Sequence, residues 1–112
     1  MKIVGINVQE PYYSDIITGK KTVEGRLNRD KFFNLQVGDI LKINNKFNFK
    51  VVAKNIYTDF RKMIEKEGVE NVLPDKRTVD DALAIYYKFY SKEDEKKYGV
   101  VGIKIVKTQL IQ

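Results

Sequence analysis

A chain of 112 residues, 43% of them hydrophobic, holds one ordinary core and leaves no room for a second domain. It contains neither cysteine nor histidine, which excludes disulfides, thiolate metal sites, the usual zinc centres and every Ser-His-Asp or Cys-His device. The net charge of +6 sits in residues 1–62, with twelve Lys/Arg against six Asp/Glu, while residues 63–112 hold nine of each.

A basic half suits a phosphate-bearing partner. Seventeen lysines to four arginines equally fit compositional drift. No apolar run approaches the ~20 residues of a membrane span. Met1-Lys2-Ile3-Val4-Gly5 runs straight into strand-like sequence without a signal-peptide pattern, so a cytoplasmic location is expected.

In chain order, residues 2–8 read as a first strand around Ile3-Val4-Gly5-Ile6. Pro11 opens a short helix over 11–18, which Gly19 stops. Residues 21–27 alternate as a second strand, with Thr22, Glu24 and Arg26 on one face and Val23, Gly25 and Leu27 on the other. Asn28 to Leu35 is a loop or helical turn whose Phe32, Phe33 and Leu35 are expected core anchors.

Val37-Gly38-Asp39 turns into a strand at 40–44, and Asn44-Asn45 turns back into a strand over 47–56. There Phe47, Phe49, Val51 and Ala53 share a face. Thr58 or Asp59 caps a helix over 59–67, closed by Gly68, with Phe60, Met63 and Ile64 as its apolar stripe. A loop with Pro74 follows. Thr78 and Asp81 begin a stronger helix at 79–90, on which Val79, Ala82, Leu83, Tyr86 and Tyr90 fall at helical spacing and read as core. Ser91 starts a charged turn whose Glu93-Asp94-Glu95-Lys96-Lys97 run reads as a solvated face, and Gly99 releases a last strand at 100–107. One α+β domain over 1–112, without repeats or linkers, is expected.

The densest stretch is Gln9-Glu10-Pro11-Tyr12-Tyr13 followed by Gly19-Lys20-Lys21-Thr22-Val23-Glu24-Gly25-Arg26, which fits G-x-K-x-x-E-x-R at every fixed position. A lysine at the mouth of a strand is partly desolvated, so its pKa falls. Glu24 and Arg26, two apart on a strand, are placed to pair, and a guanidinium so held presents a fork to phosphate or a base edge. Tyr12, Tyr13, Tyr57 and Tyr87 are candidate stacking surfaces. The duller readings are a helix-stopping Gly19, a structural Glu24–Arg26 pair and a solvated Lys21. Strict alternation sets Lys21 opposite Glu24 and Arg26; for the three to meet, the strand begins after Lys21 or carries a bulge.

This motif resembles the signature of ASCH domains, within the PUA-like group. Val37-Gly38-Asp39-Ile40-Leu41, Tyr57-Thr58-Asp59-Phe60, Phe89-Tyr90-Ser91-Lys92-Glu93-Asp94-Glu95 and Tyr98-Gly99-Val100-Val101 extend the resemblance in order over nearly the whole chain. It implies a small β-barrel of five to six strands flanked by short helices. It also implies RNA or a nucleotide as partner, with no cofactor and no metal.

In the binding reading, Lys20, Lys21, Arg26 and Arg29 neutralise phosphates while Tyr12, Tyr13 and Tyr57 stack bases, and affinity falls steeply with salt. The alternative is a metal-independent RNA-directed hydrolase, either a ribonuclease or an N4-acetylcytidine amidohydrolase. In it Lys21 is the base, Glu24 shuttles the proton and Arg26 stabilises the oxyanion. The amidohydrolase threonine is replaced here by Glu24, with Thr22 adjacent, and the family's later glutamate falls on Glu67 or Glu70. A protein-interaction module is the third reading.

Overall fold

The computed structural model describes residues 1–108. Its strands are β1 (Ile3–Ile6), β2 (Val23–Leu27), β3 (Ile40–Ile43), β4 (Phe47–Tyr57) and β5 (Val100–Lys107). Its helices are α1 (Tyr12–Ile17), α2 (Phe60–Glu67), α3 (Val69–Val72), α4 (Val79–Phe89) and α5 (Lys92–Tyr98), with a 3-10 turn at Asp30–Phe32. The strands form one curled, half-barrel sheet in the order β1-β3-β4-β5-β2, with β1 and β3 parallel and the other pairs antiparallel. The expected barrel is not seen to close. Among the described residues β1 and β2 lie at opposite edges and share no ladder.

Each face of the sheet carries its own core. Partners in an antiparallel ladder share a face, so Glu24 beside Ile103 and Arg26 beside Val101 belong to the inner one. That face is filled by Ile6, Leu41, Ile43, Phe49, Val51, Val101, Ile103 and Ile105 and lidded by Ile16, Phe32 and Leu35. On the outer face Val23, Leu27 and Val100 meet Phe60, Met63, Ile64, Val72, Leu73, Ala82 and Tyr86. Strand β2 is therefore buried on both sides, and this suits its mixture of apolar and charged residues.

Local signals hold the helices where the pattern puts them. The Asp59 carboxylate accepts the Lys62 amide at 2.8 Å, and the Thr78 hydroxyl accepts the Asp81 amide at 3.1 Å. Asn44 and Asn45, with φ of 52° and 58°, turn β3 into β4 in the left-handed region that asparagine tolerates.

Four expectations change. Phe33 is 64% exposed rather than a core anchor, because the 3-10 turn points only Phe32 inward. A bulge between Val51 and Ala53 flips the alternation of β4. Ala53 lies opposite exposed Lys104, and Lys54 opposite buried Ile103. The loop before Pro74 contains α3, four residues being too few to show a period. The charged run at 93–97 is not wholly solvated. Glu95 is buried, its carboxylate accepting the Phe60 amide at 2.8 Å and the Tyr87 hydroxyl at 2.9 Å.

Glu95 thus ties α5 to the start of α2. Glu95→Ala leaves a buried amide and a phenol unpaired and is expected to cost about 1–3 kcal/mol in urea denaturation. Glu93→Ala, two residues away on an exposed position, is expected to stay within about 0.5 kcal/mol. Equal effects at the two positions refute the tie.

Candidate functional site

Gly19, at φ +83°, ends α1 and reverses the chain, so that the Lys21 amide bonds the Asp15 carbonyl at 2.9 Å. The Thr22 amide then bonds the Asn71 carbonyl at 3.0 Å, and the ladder begins only at Val23. Lys21 lies ahead of β2 and escapes its alternation. Its ammonium swings to the Glu24 side and meets Oε1 at 3.2 Å, the Val23 carbonyl at 2.7 Å and the Val72 carbonyl at 2.5 Å. An ammonium has three N–H donors, and each has an acceptor.

Glu24 Oε2 accepts Arg26 Nε–H at 2.9 Å and forms an ion pair with Nη2 at 2.8 Å. Nη2 also donates to the Asn7 carbonyl at 2.9 Å, just past β1, so one guanidinium bridges the two free edges of the sheet. Its Cζ lies 5.1 Å above the Phe32 ring. Among the described residues Nη1 makes no hydrogen bond or ion pair.

Lys21 and Glu24 are 2% and 6% exposed. Burial pushes the Glu24 carboxyl up, but Lys21 and Arg26 outweigh it and hold the group below its ordinary value. Burial pulls the Lys21 ammonium down, opposed by Glu24.

Beside this trio lies a partly open cleft of about 180 Å³. Asn7, Val8 and Gln9 form one wall, Tyr12 of α1 and Leu73 a second, and Ile85, Tyr86, Phe89 and Tyr90 of α4 a third. Lys21, Glu24, Gly25 and Arg26 make its floor. Of the residues singled out in the sequence, Tyr12, Lys21, Glu24 and Arg26 come together here.

The others do not. Tyr13 packs on the inner core. Lys20 is exposed and outside the lining. Arg29 faces Asp30 and Asp94, each at 3.7 Å, over the Tyr98 ring in a separate hollow. Tyr57 donates to Glu67 at 2.5 Å, and Tyr87 to Glu95. Thr22 and Glu70 stand outside the lining.

Sequence reasoning assigned Tyr86 and Tyr90 to the core, and both do stack on Phe60, at centroid distances of 4.7 and 5.2 Å. Both also line the cleft, together with Phe89, half of which is exposed. The 85, 86, 89, 90 spacing on one helix face carried that signal. Tyr86 is 6% exposed, and its buried hydroxyl has no hydrogen-bond partner among the described residues. Among the described residues no group of three acidic side chains is placed to hold a metal ion, and no helix is long and apolar enough to cross a membrane.

An open half-barrel whose β2 edge bears this motif defines a known class. The family model for the ASCH domain matches residues 6–109, and the chain belongs to the ASCH domain family. It is similar to the crystal structure of hypothetical protein PH0355, with 41% identity and a TM-score of 0.90 over 96% of this chain and 100% of that one. It is also similar to the solution NMR structure of protein PF0455 from Pyrococcus furiosus, with 38% identity and a TM-score of 0.81 over 98% and 100%. No curated protein matches.

The lowered Glu24 pKa has a stability consequence. The folded state binds this proton less readily than the unfolded state. Its contribution is therefore full above the ordinary value of 4.5 and is lost as pH falls from there through the folded value. Glu24→Gln leaves two cations without their counterion and is expected to cost about 3–5 kcal/mol at pH 7. Its gap from the wild type is expected to narrow toward pH 3 in urea melts. A gap independent of pH overturns this assignment.

Proposed function

We propose that the protein binds single-stranded RNA by lodging one unstacked nucleotide in the cleft beside Lys21, Glu24 and Arg26. The observation that carries this reading is the aromatic-walled hollow at a clamped guanidinium whose Nη1 makes no hydrogen bond among the described residues. A volume of about 180 Å³ is below the ~300–1,000 Å³ of drug-sized pockets. It suits a single base and is too small for a folded strand. Membership of a family generally associated with RNA supports the same choice of ligand.

Tyr12, Tyr90 and Phe89 supply stacking surfaces, and Arg26 the fork for phosphate or base. Lys20, exposed on the turn into the cleft, meets a flanking phosphate. Lys21 acts from beneath, fixing Glu24 so that Glu24 fixes Arg26.

The hydrolase reading draws on one observation, the burial that lowers the Lys21 pKa toward that of a usable base. Three acceptors around its nitrogen favour the charged form, and a proton-accepting lone pair needs one of them to leave. The binding reading needs no such rearrangement and is preferred. Lys21→Arg separates the two, since arginine keeps charge but supplies no neutral amine. Turnover of labelled RNA by the wild type, abolished in this variant, supports the hydrolase.

Phe89→Ala removes a rim ring that is half in solvent. It is expected to weaken binding of short single-stranded RNA, measured by fluorescence anisotropy, by about 5- to 150-fold, the equivalent of ~1–3 kcal/mol per stacked base. The melting temperature should hold. The log–log salt slope is expected near about −0.7 to −1.4, for one or two phosphates. A steep slope unchanged by Phe89→Ala places the RNA elsewhere; no binding at low salt ends the reading and leaves a protein-interaction module.

A further inference from the structure

The Gly25 main chain is where the cleft meets the free edge of β2. The Thr22 carbonyl accepts the Ile105 amide, and the Asn28 amide donates to the Gly99 carbonyl, so the even-numbered residues of this strand face β5. The odd-numbered ones face away. Two of their carbonyls are already taken: Val23 by Lys21 Nζ, and Leu27 by the Arg29 amide. The N–H and C=O of Gly25 lie between these on the same edge, and no side chain or turn among the described residues takes them.

Directly over Gly25 stands the unpartnered Tyr86 hydroxyl. A Cβ at Gly25 would sit 3.0 Å from that oxygen and 2.5 Å from Met63 Cε. Glycine here is what lets the phenol reach the strand. Burial pushes the Tyr86 pKa well above 10, so the hydroxyl keeps its proton.

The hydrogen-bonding character of the cleft follows. At Gly25 the main-chain N–H and C=O are an available donor and acceptor, and the Tyr86 O–H, buried beside them, is a further donor that a ligand reaches once the ring shifts. Both oxygens of Glu24 already accept from Lys21 and Arg26. At this edge two donors accompany one acceptor, and the complementary edge is a donor flanked by acceptors. In RNA that edge belongs to uracil, whose N3–H lies between two carbonyls. Its single ring also suits a hollow of about 180 Å³.

We propose that the cleft selects a uracil-type base, its N–H and one carbonyl paired with the Gly25 main chain and a carbonyl held by Tyr86. This deepens the RNA-binding reading and rests on it. Tyr86 is a specificity-determining contact in this scheme, and its hydroxyl serves no partner among the described residues.

Calorimetric titration with uridine, cytidine and 3-methyluridine, whose N3–H is blocked, tests the proposal, with the wild type beside Tyr86→Phe. Uridine is expected to bind about tenfold or more tightly than the other two, the scale of one good hydrogen bond left unmet. Tyr86→Phe is expected to lose about tenfold for uridine while its melting temperature stays level or rises, because the buried hydroxyl is unpaired. Repeating the titration with uridine monophosphate and oligouridylate assigns the source: equal affinities point to a free nucleoside and a gain with the oligomer to a strand, and either supports the base selection. Base-indifferent affinity, or wild-type affinity in Tyr86→Phe, overturns the selection and leaves the RNA cleft standing. If none of these ligands binds, both readings fall.

Discussion

A carboxylate buried between two cations is the constraint that organises this molecule. Glu24 is removed from water at a sheet edge, where an unpaired charge costs several kcal/mol. Lys21 answers it from one side and Arg26 from the other. Each cation is in turn fixed by main-chain carbonyls from distant parts of the chain, Val72 for the lysine and Asn7 for the arginine. The trio therefore joins the turn after α1, the edge strand β2, the end of α3 and the chain leaving β1. Such clusters add little net stability over a well-packed apolar core. What they fix is geometry, and geometry is what a binding cleft requires.

The open seam of the half-barrel gives that geometry its purpose. A strand with an unpaired edge invites stray pairing unless something covers it. Here α3 meets the start of β2 through the Thr22–Asn71 bond, Tyr86 of α4 lies over its outer face at Gly25, and Arg26 reaches across to Asn7. The cover is incomplete at Gly25, and the hollow lies there. Fold and cleft come from one feature, a sheet that curls without its edge strands pairing.

Most of the architecture was legible from local signals. The caps at Asp59 and Thr78, the stop at Gly19 and the asparagine turn at 44–45 each act within four residues, so sequence alone displays them. Much of what local signals left open or misplaced depends on contacts between distant segments. Whether Glu95 is solvated depends on Phe60, 35 residues earlier. The side on which Lys21 lies depends on where a ladder with β5 begins. Tyr86 is core, as its spacing indicates, but spacing says nothing of a cavity beside it. Tyr57 and Tyr87 read as stacking platforms because their carboxylate partners, Glu67 and Glu95, are set by tertiary packing.

Burial also bears on what the motif lysine can do. A lysine poised as a base needs a lone pair directed at a proton, whereas the Lys21 nitrogen is ringed by two carbonyls and a carboxylate. Deprotonating it would set a lone pair against an acceptor and leave Glu24 with one cation instead of two. The desolvation that lowers its pKa is thus opposed by the contacts that burial creates. Arg26 stands differently, with Nε and Nη2 engaged, Nη1 without a hydrogen bond among the described residues, and the residue itself in the lining of the cleft. A cation held on one side and free on the other is preorganised for a ligand, since its orientation is fixed before the ligand arrives. In the proposed binding reading, the lysine of the G-x-K-x-x-E-x-R segment supports, the glutamate transmits and the arginine presents.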